Sequence, residues 1–321
     1  MSRHISMKRT LGSLFLLALL SPAPAVASDG NGPVPLTLWN VQVRPGHPYL
    51  IQIRTCRPRG IRQGQILIRR IERPVLIERA HVFSDANDGV IDIVGSDEAG
   101  VQTLFSSPEA AINERHGPFL AMLVKREQGL VPGEVQDLAV IASSTELWDE
   151  NLELSPFVTL DASLTVIERD APFLLEVTGL EKASIIKTRG DDEVVVAIGT
   201  RELLRLSHLE FELQYDPAVV GLVSLSDLWD MRRDIRSSLD FSQPGIVRVT
   251  LDSPSGSVNL LPGLLVELEM NLNLGVPVGT TSLLELNPAA TRAVDRQGRE
   301  WNLELANAVL EVTPEPRDDD E

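Results

Sequence analysis

SHLEFELQYDPAVVGLVSL, residues 207–225, contains two apolar segments separated by a proline. From Leu209 to Tyr215 apolar and polar residues alternate, which is the period of a strand with one buried and one solvated face. Pro217 ends that strand, because proline has no N–H to donate to a ladder and its φ is fixed. The Val- and Leu-rich segment from Val219 to Leu225 then predicts the next strand of a sheet.

The rest of the second half has the same organisation of short strands between Gly- and Pro-rich turns. We predict further strands at 194–198, 246–251, 264–272, 282–286 and 306–312. The charged segment 225–239 is the exception, and there we expect a short helix. This pattern predicts an all-β fold, an antiparallel β-sandwich.

The chain also repeats itself. Residues 101–166, laid without gaps over residues 247–312, give thirteen identities, among them Gly117 on Gly263 and Gly133 on Gly279. Matching glycines and prolines count most, because they mark backbone positions with special torsions. A period of this length predicts two tandem copies of one domain.

Within the second copy, the alternating strand that ends in Tyr-Asp-Pro, followed by a Val/Leu-rich strand, resembles a cohesin domain. Further motifs follow in the family's order: a Gly-led strand at 243–251, a turn and long strand at 262–270, a Gly-x-Thr strand entry at 279–286 and an Asp-x-x-Gly turn at 295–298. The resemblance covers about residues 180–313. It implies a jelly-roll sandwich that binds a dockerin module or a cell-surface protein and carries out no catalysis.

The resemblance to cohesins extends to the first copy only because the two copies repeat each other. We expect a degenerate cohesin-like sandwich at residues 35–168 and a cohesin-like sandwich at 172–313. Laying Pro74 over Pro217 places Arg70 at the position of inward-facing Leu213, which leaves the local register of the first copy uncertain.

The resemblance also implies a binding face, since outward positions on the strand before Tyr-Asp-Pro help cohesins to contact dockerin. Here these positions hold His208, Glu210, Glu212 and Gln214, and the neighbouring strand adds Arg248 and Thr250. The alternative is that all six are ordinary solvated residues of a sandwich.

Composition and charge narrow the function classes. The 321 residues carry a net charge of −17, so we expect no nucleic-acid partner. With one cysteine, Cys56, no intramolecular disulfide can form; we expect a small buried hydrophobe there, with intermolecular pairing as the alternative. The sequence has no Gly-x-Ser-x-Gly elbow and no His-Glu-x-x-His, and its five histidines are scattered. We therefore expect no enzyme, catalytic residue, cofactor or metal.

Both ends of the chain have a distinct composition. Basic residues, the apolar run 11–20 and an Ala-x-Ala site at 25–27 predict a secretory signal peptide over 1–27, and hence a secreted protein, extracellular or periplasmic. The later sequence has no segment apolar enough for membrane insertion. The acidic tail 314–321 predicts disorder.

Direct binding of polysaccharide, or adhesion to an extracellular matrix, is the alternative function. Coplanar aromatic rings grip flat polysaccharide surfaces, but the four tryptophans lie far apart in sequence at positions 39, 148, 229 and 301. This spacing argues against a strip that binds crystalline cellulose and leaves a groove for a single sugar chain open.

Overall fold

The computed structural model describes residues 33–55, 60–70, 75–82, 89–97, 100–107, 117–179, 184–188, 193–227, 235–256, 258 and 263–314. The predicted signal peptide, Cys56, Trp229 and the tail beyond Pro314 lie outside these residues. Among the described residues no helix has the length and apolar character needed to cross a bilayer.

The first sandwich runs from Val34 to Val166 and consists of a five-stranded and a seven-stranded sheet. Its strands are β1 Val34–Leu38, β2 Val41–Val43, β3 Tyr49–Thr55, β4 Gln63–Arg70, β5 Ile77–Val82, β6 Val90–Asp97, β7 Gly100–Ser106, β8 Gly117–Val124, β9 Val135–Val140, β10 Glu146–Trp148, β11 Phe157–Leu160 and β12 Ala162–Val166. The strand orders are β11-β1-β3-β8-β5 and β2-β12-β9-β4-β7-β6, with β10 paired to β4. A 3₁₀ turn at Ala142–Ser144 precedes β10.

The second sandwich runs from Phe173 to Val312. Its strands are β13 Phe173–Gly179, β14 Ile185–Thr188, β15 Glu193–Thr200, β16 Leu206–Gln214, β17 Val220–Asp227, β18 Arg236–Asp240, β19 Ile246–Asp252, β20 Gly263–Leu272, β21 Thr281–Leu286, β22 Arg292–Asp295, β23 Leu303–Ala306 and β24 Ala308–Val312. The strand orders are β23-β13-β15-β20-β17 and β14-β24-β21-β16-β19-β18, with β22 paired to β16. A 3₁₀ turn at Pro288–Ala290 precedes β22.

Both predictions about architecture, the β-sandwich class and the tandem repeat, are confirmed. Adding twelve to each strand number of the first sandwich reproduces every neighbour relation of the second. Details repeat as well. Asp149 and Asp295 each accept two backbone N–H groups in a turn, and the fourth residue of that turn has positive φ in both copies, Leu152 in one and Gly298 in the other.

Strand pairing is antiparallel, as predicted, except at one pair in each of the four sheets. The first strands of each copy pair in parallel with its last strands, namely β1 with β11, β2 with β12, β13 with β23 and β14 with β24. The end of each copy also changes sheets: β23 and β24 are separated only by Asn307 and belong to different sheets, so the single strand predicted at 306–312 is two. Alternation of apolar residues reports which face is buried but carries no information about strand direction.

Of two local predictions, one is tested in part and one needs correction. Residues 225–227 and 236–239 of the segment in which a short helix is expected belong to strands β17 and β18, and residues 228–234 lie outside the described residues. The alignment of Arg70 with Leu213 is wrong: Ile68 pairs with Val101 as Leu213 pairs with Val247, so Arg70 takes the place of Tyr215. Arg70 is buried there because it donates to the Glu127 carboxylate at 2.7 Å and to the Tyr49 hydroxyl.

Each sandwich has its own hydrophobic core between its two sheets. The core of the second is formed by alternate residues of the predicted strands, including Leu209, Phe211 and Leu213, with exposed fractions of 1% or less. At about 25 cal/mol per Å² of apolar area removed from water, such burial is the main stabilising contribution in a chain without an intramolecular disulfide.

The five-stranded sheets of the two sandwiches pack against each other. Their outer side chains, which would be solvated in an isolated sandwich, are buried on both sides: Gln52 and Arg54 on β3, Thr178 on β13 and Glu267 on β20. Arg54 donates to the Glu267 carboxylate at 2.7 Å across this interface, and both side chains are 2% exposed.

A second buried ion pair lies at the same junction. Arg44, after β2, donates through two nitrogens to both carboxylate oxygens of Glu202, at 2.7 and 2.8 Å. It also donates to the carbonyls of Glu168, Arg169 and Ala171 in the segment that joins the sandwiches. Arg44 therefore ties the first sandwich, the linker and the second sandwich together.

Candidate functional site

The six predicted binding residues lie on one face of the seven-stranded sheet of the second sandwich. The register of β16 with β19 sets Glu210 opposite Thr250, Glu212 opposite Arg248 and Gln214 opposite Ile246. Because residues directly opposite each other in an antiparallel pair present their side chains to the same face, strand pairing alone brings the set together. We call this surface the β16–β19 face.

One end of the face carries a histidine between two carboxylates. Nδ1 of His208 lies 2.7 Å from Oδ1 of Asp252, its cross-strand neighbour, and Nε2 lies 3.6 Å from Oε2 of Glu210. The side chains of Glu210 and Asp252 are 42% and 52% exposed, so both carboxylates are accessible to a partner.

The other end is organised around Glu212, whose side chain is only 8% exposed. One oxygen accepts hydrogen bonds from the Asn287 and Gln214 amides, at 2.8 and 2.9 Å, and the other accepts one from Nε of Arg248 at 2.9 Å. These amide hydrogen bonds, with the Arg248 charge, hold the pKa of the Glu212 carboxyl below its usual range. Glu212 thus fixes the Arg248 side chain while leaving the guanidinium 45% exposed.

Sequence reasoning missed several residues of this face. Asp252 continues the outward alternation of Arg248 and Thr250, so it could have been found from periodicity. Asp240 on β18 pairs with Arg248, and the Gln243 amide oxygen accepts from Arg248. Asn287 comes from the turn after β21, and no sequence pattern connects it with Glu212.

The two outer surfaces of the second sandwich differ in exposure, and the β16–β19 face is the exposed one. The outer side of the five-stranded sheet is covered by the first sandwich, as buried Thr178 and Glu267 show, whereas Glu210, Arg248 and Asp252 remain exposed. Among its described residues, the second sandwich therefore presents to solvent a sheet face of charged side chains held in mutual hydrogen bonds.

The corresponding face of the first sandwich has different chemistry. By strand register, Gln63, Gln65 and Leu67 take the places of His208, Glu210 and Glu212. On the neighbouring strand, Gln102 and Leu104 replace Arg248 and Thr250. The exposed ion pairs of the second sandwich have no counterpart at these five positions.

These features define a tandem β-sandwich protein in which the sheet face of the second sandwich carries more charged residues at the matched positions than that of the first. No family model matches the chain, and no curated protein matches it. Solved structures that match include cohesin domains, the family that the sequence resembles.

One match is the type II cohesin dyad from the adaptor ScaA scaffoldin of Acetivibrio cellulolyticus, which is 11% identical, covers 88% of this chain and 99% of its own, and has a TM-score of 0.33. CaCohA2 from Clostridium acetobutylicum is 18% identical, covers 45% of this chain and 92% of its own, and has a TM-score of 0.37. A type I cohesin–dockerin complex, Coh-OlpC-Doc435 from Clostridium thermocellum, is 14% identical over 44% of this chain and 99% of its own, with a TM-score of 0.36. At these values the matches add nothing to the site described above.

Proposed function

We propose that this chain is a secreted, non-catalytic binding protein whose second sandwich docks a dockerin-type or cell-surface protein on the β16–β19 face, in the context of polysaccharide degradation. The single observation that carries the proposal is the strand register, which gathers His208, Glu210, Glu212, Gln214, Arg248 and Thr250 on one exposed surface.

The physical character of the face suits protein recognition. Its two strands, β16 and β19, each pair with neighbours on both sides, so little backbone conformational entropy remains to be lost when a partner binds. Its charges are already positioned, with Arg248 held by Glu212 and His208 by Asp252. Electrostatic complementarity of this kind contributes to specificity and association rate more than to raw affinity.

The extracellular setting rests on the signal-peptide motif at 1–27 and on the resemblance to cohesins. The proposed context of polysaccharide degradation rests only on the resemblance to cohesins. A net charge of −17 favours a partner with a basic or mixed surface.

The test is capture from the culture medium of the producing organism with the immobilised mature chain. We expect a dockerin-type or surface protein to be recovered. Glu210→Arg should weaken its binding by about tenfold or more, because it reverses a charge that a basic partner surface would meet and adds a second arginine opposite Arg292.

Glu153→Arg is the matched control, since it makes the same charge change at an exposed turn of the first sandwich. Equal loss of binding in both variants would mean that net charge alone drives the interaction. Recovery of polysaccharide alone, unaffected by Glu210→Arg, would favour the carbohydrate-binding alternative.

A further inference from the structure

The first sandwich has a pocket at the end of its seven-stranded sheet. The pocket has a volume of about 290 Å³, and its lining includes Gln63 on β4, Asp92 on β6, Leu104 and Ser106 on β7, and Trp148 on β10. Ligand pockets generally begin at about 300 Å³, so this space suits one small group or the end of a longer chain.

Several residues that line the pocket differ from those at the matched positions of the second sandwich. The second sandwich has His208, Leu209 and Asp252 where the first has Gln63, Gly64 and Ser106. At Gly64 a Cβ atom would lie 2.5 Å from the Phe105 ring, so the missing side chain is what makes room for that ring. The hydrogen-bonded His208–Asp252 pair is thus replaced by smaller, neutral groups.

The indole of Trp148 stands where the second sandwich has Val294. Its backbone position is fixed on both sides, by the pairing of β10 with β4 and by a bridge to Leu154 across the Asp149 turn. An aromatic side chain on a backbone held in this way offers a flat surface on which an apolar ring face can pack.

The polar groups of the pocket are available. Within the described residues the side chains of Gln63, Asp92 and Ser106 have no hydrogen-bond partner. Together they offer an amide donor and acceptor, a carboxylate acceptor and a hydroxyl, beside Trp148 and the aliphatic Leu104.

We propose that this pocket binds a neutral saccharide residue. A pyranose has an apolar C–H face that packs on an aromatic or aliphatic surface, and hydroxyls that both donate and accept, which matches this combination of groups. An anionic sugar is disfavoured because Asp92 is the charged residue among the described lining residues and the chain has a net charge of −17. The first sandwich would then hold glycan while the second holds a protein.

The test uses the indole N–H signals of the mature protein in two-dimensional NMR, where Trp148→Val identifies the Trp148 signal. Cellohexaose, xylohexaose and mannohexaose are the neutral probes, and trigalacturonic acid is the anionic comparison. We expect at least one neutral probe to shift the Trp148 signal saturably, with a dissociation constant on the order of 1 mM for so small a site.

Trp148→Val installs the residue of the second sandwich and should weaken binding by about tenfold or more, measured for this variant from the saturation-transfer NMR signals of the probe itself because the indole is gone. A second variant, Gln63→His/Ser106→Asp, rebuilds the His208–Asp252 pair in the pocket and should also remove binding while keeping the indole. The proposal is overturned if no neutral probe at about 20 mM moves the Trp148 signal. It also fails if trigalacturonic acid binds as well as the neutral probes, or if binding survives in both folded variants.

Discussion

The ion pair between Arg44 and Glu202 gives a sharp test of how the two sandwiches are joined. Both side chains are 2% exposed, and Arg44 makes five hydrogen bonds, two to Glu202 and three to linker carbonyls. Arg44→Met keeps an unbranched side chain in the apolar part of the site but removes every donor, together with the guanidinium that lies over the Trp301 ring at 4.8 Å.

The expected loss of stability follows from the groups that Arg44→Met leaves without a partner. Removing one partner of a buried pair leaves an uncompensated charge, which destabilises by about 3–5 kcal/mol. The linker carbonyls contribute less, because Glu168 and Arg169 are exposed and water can replace the lost donors. We expect Arg44→Met to lower the free energy of unfolding by about 3–5 kcal/mol at neutral pH.

Urea unfolding followed by tryptophan fluorescence and far-ultraviolet circular dichroism measures this loss. Arg44→Met/Glu202→Met should recover most of it, because an apolar pair of similar volume leaves no buried charge. Arg292→Met is the control, since its pair with Glu300 is at least half exposed and should contribute less than about 1 kcal/mol. A loss in Arg44→Met no larger than that control would refute the buried junction.

Three further predictions concern single sites. Phe211→Ala, at a position 1% exposed, should cost about 3–5 kcal/mol in urea unfolding, and a loss below about 1 kcal/mol would contradict its place in the core. Tyr49→Phe removes a hydroxyl bonded to Glu127 and Arg70 and should cost about 1–3 kcal/mol by the same assay, whereas an unchanged midpoint would mean that this network is not formed. Because the folded pKa of Glu212 is lowered from 4.5, its stabilisation is present above about pH 4.5 and is lost as pH falls through the folded value. The stability gap between the natural chain and Glu212→Gln should therefore narrow on acidification, and a gap independent of pH would be inconsistent with those hydrogen bonds.

The sheet structure was largely predictable from local pattern. Alternation from Leu209 to Tyr215 defined both the buried and the outward side of β16, and the proline after it marked the end of the strand. The candidate face followed from the same alternation, because outward residues of neighbouring strands share a surface once they pair.

Other features depend on contacts that sequence periodicity does not report. The register of β4 was wrong by two residues because Arg70 looks like a surface residue, yet Glu127 and Tyr49 neutralise and satisfy it in the interior. The junction was not foreseen for the same reason: Arg54 and Glu267 have the composition of a solvated face and become buried only when two sheets meet. Such pairs are recognised from tertiary structure and not from hydrophobic pattern.

Chemical footprinting of carboxylates with the captured partner addresses the docking surface most directly. Carbodiimide labelling of Glu210 and Asp252, both substantially exposed in the free chain, should fall several-fold when the partner is bound, while labelling of Glu153 stays unchanged. Unchanged labelling of Glu210 and Asp252 in a saturated complex, or protection confined to the first sandwich, would contradict docking on β16 and β19.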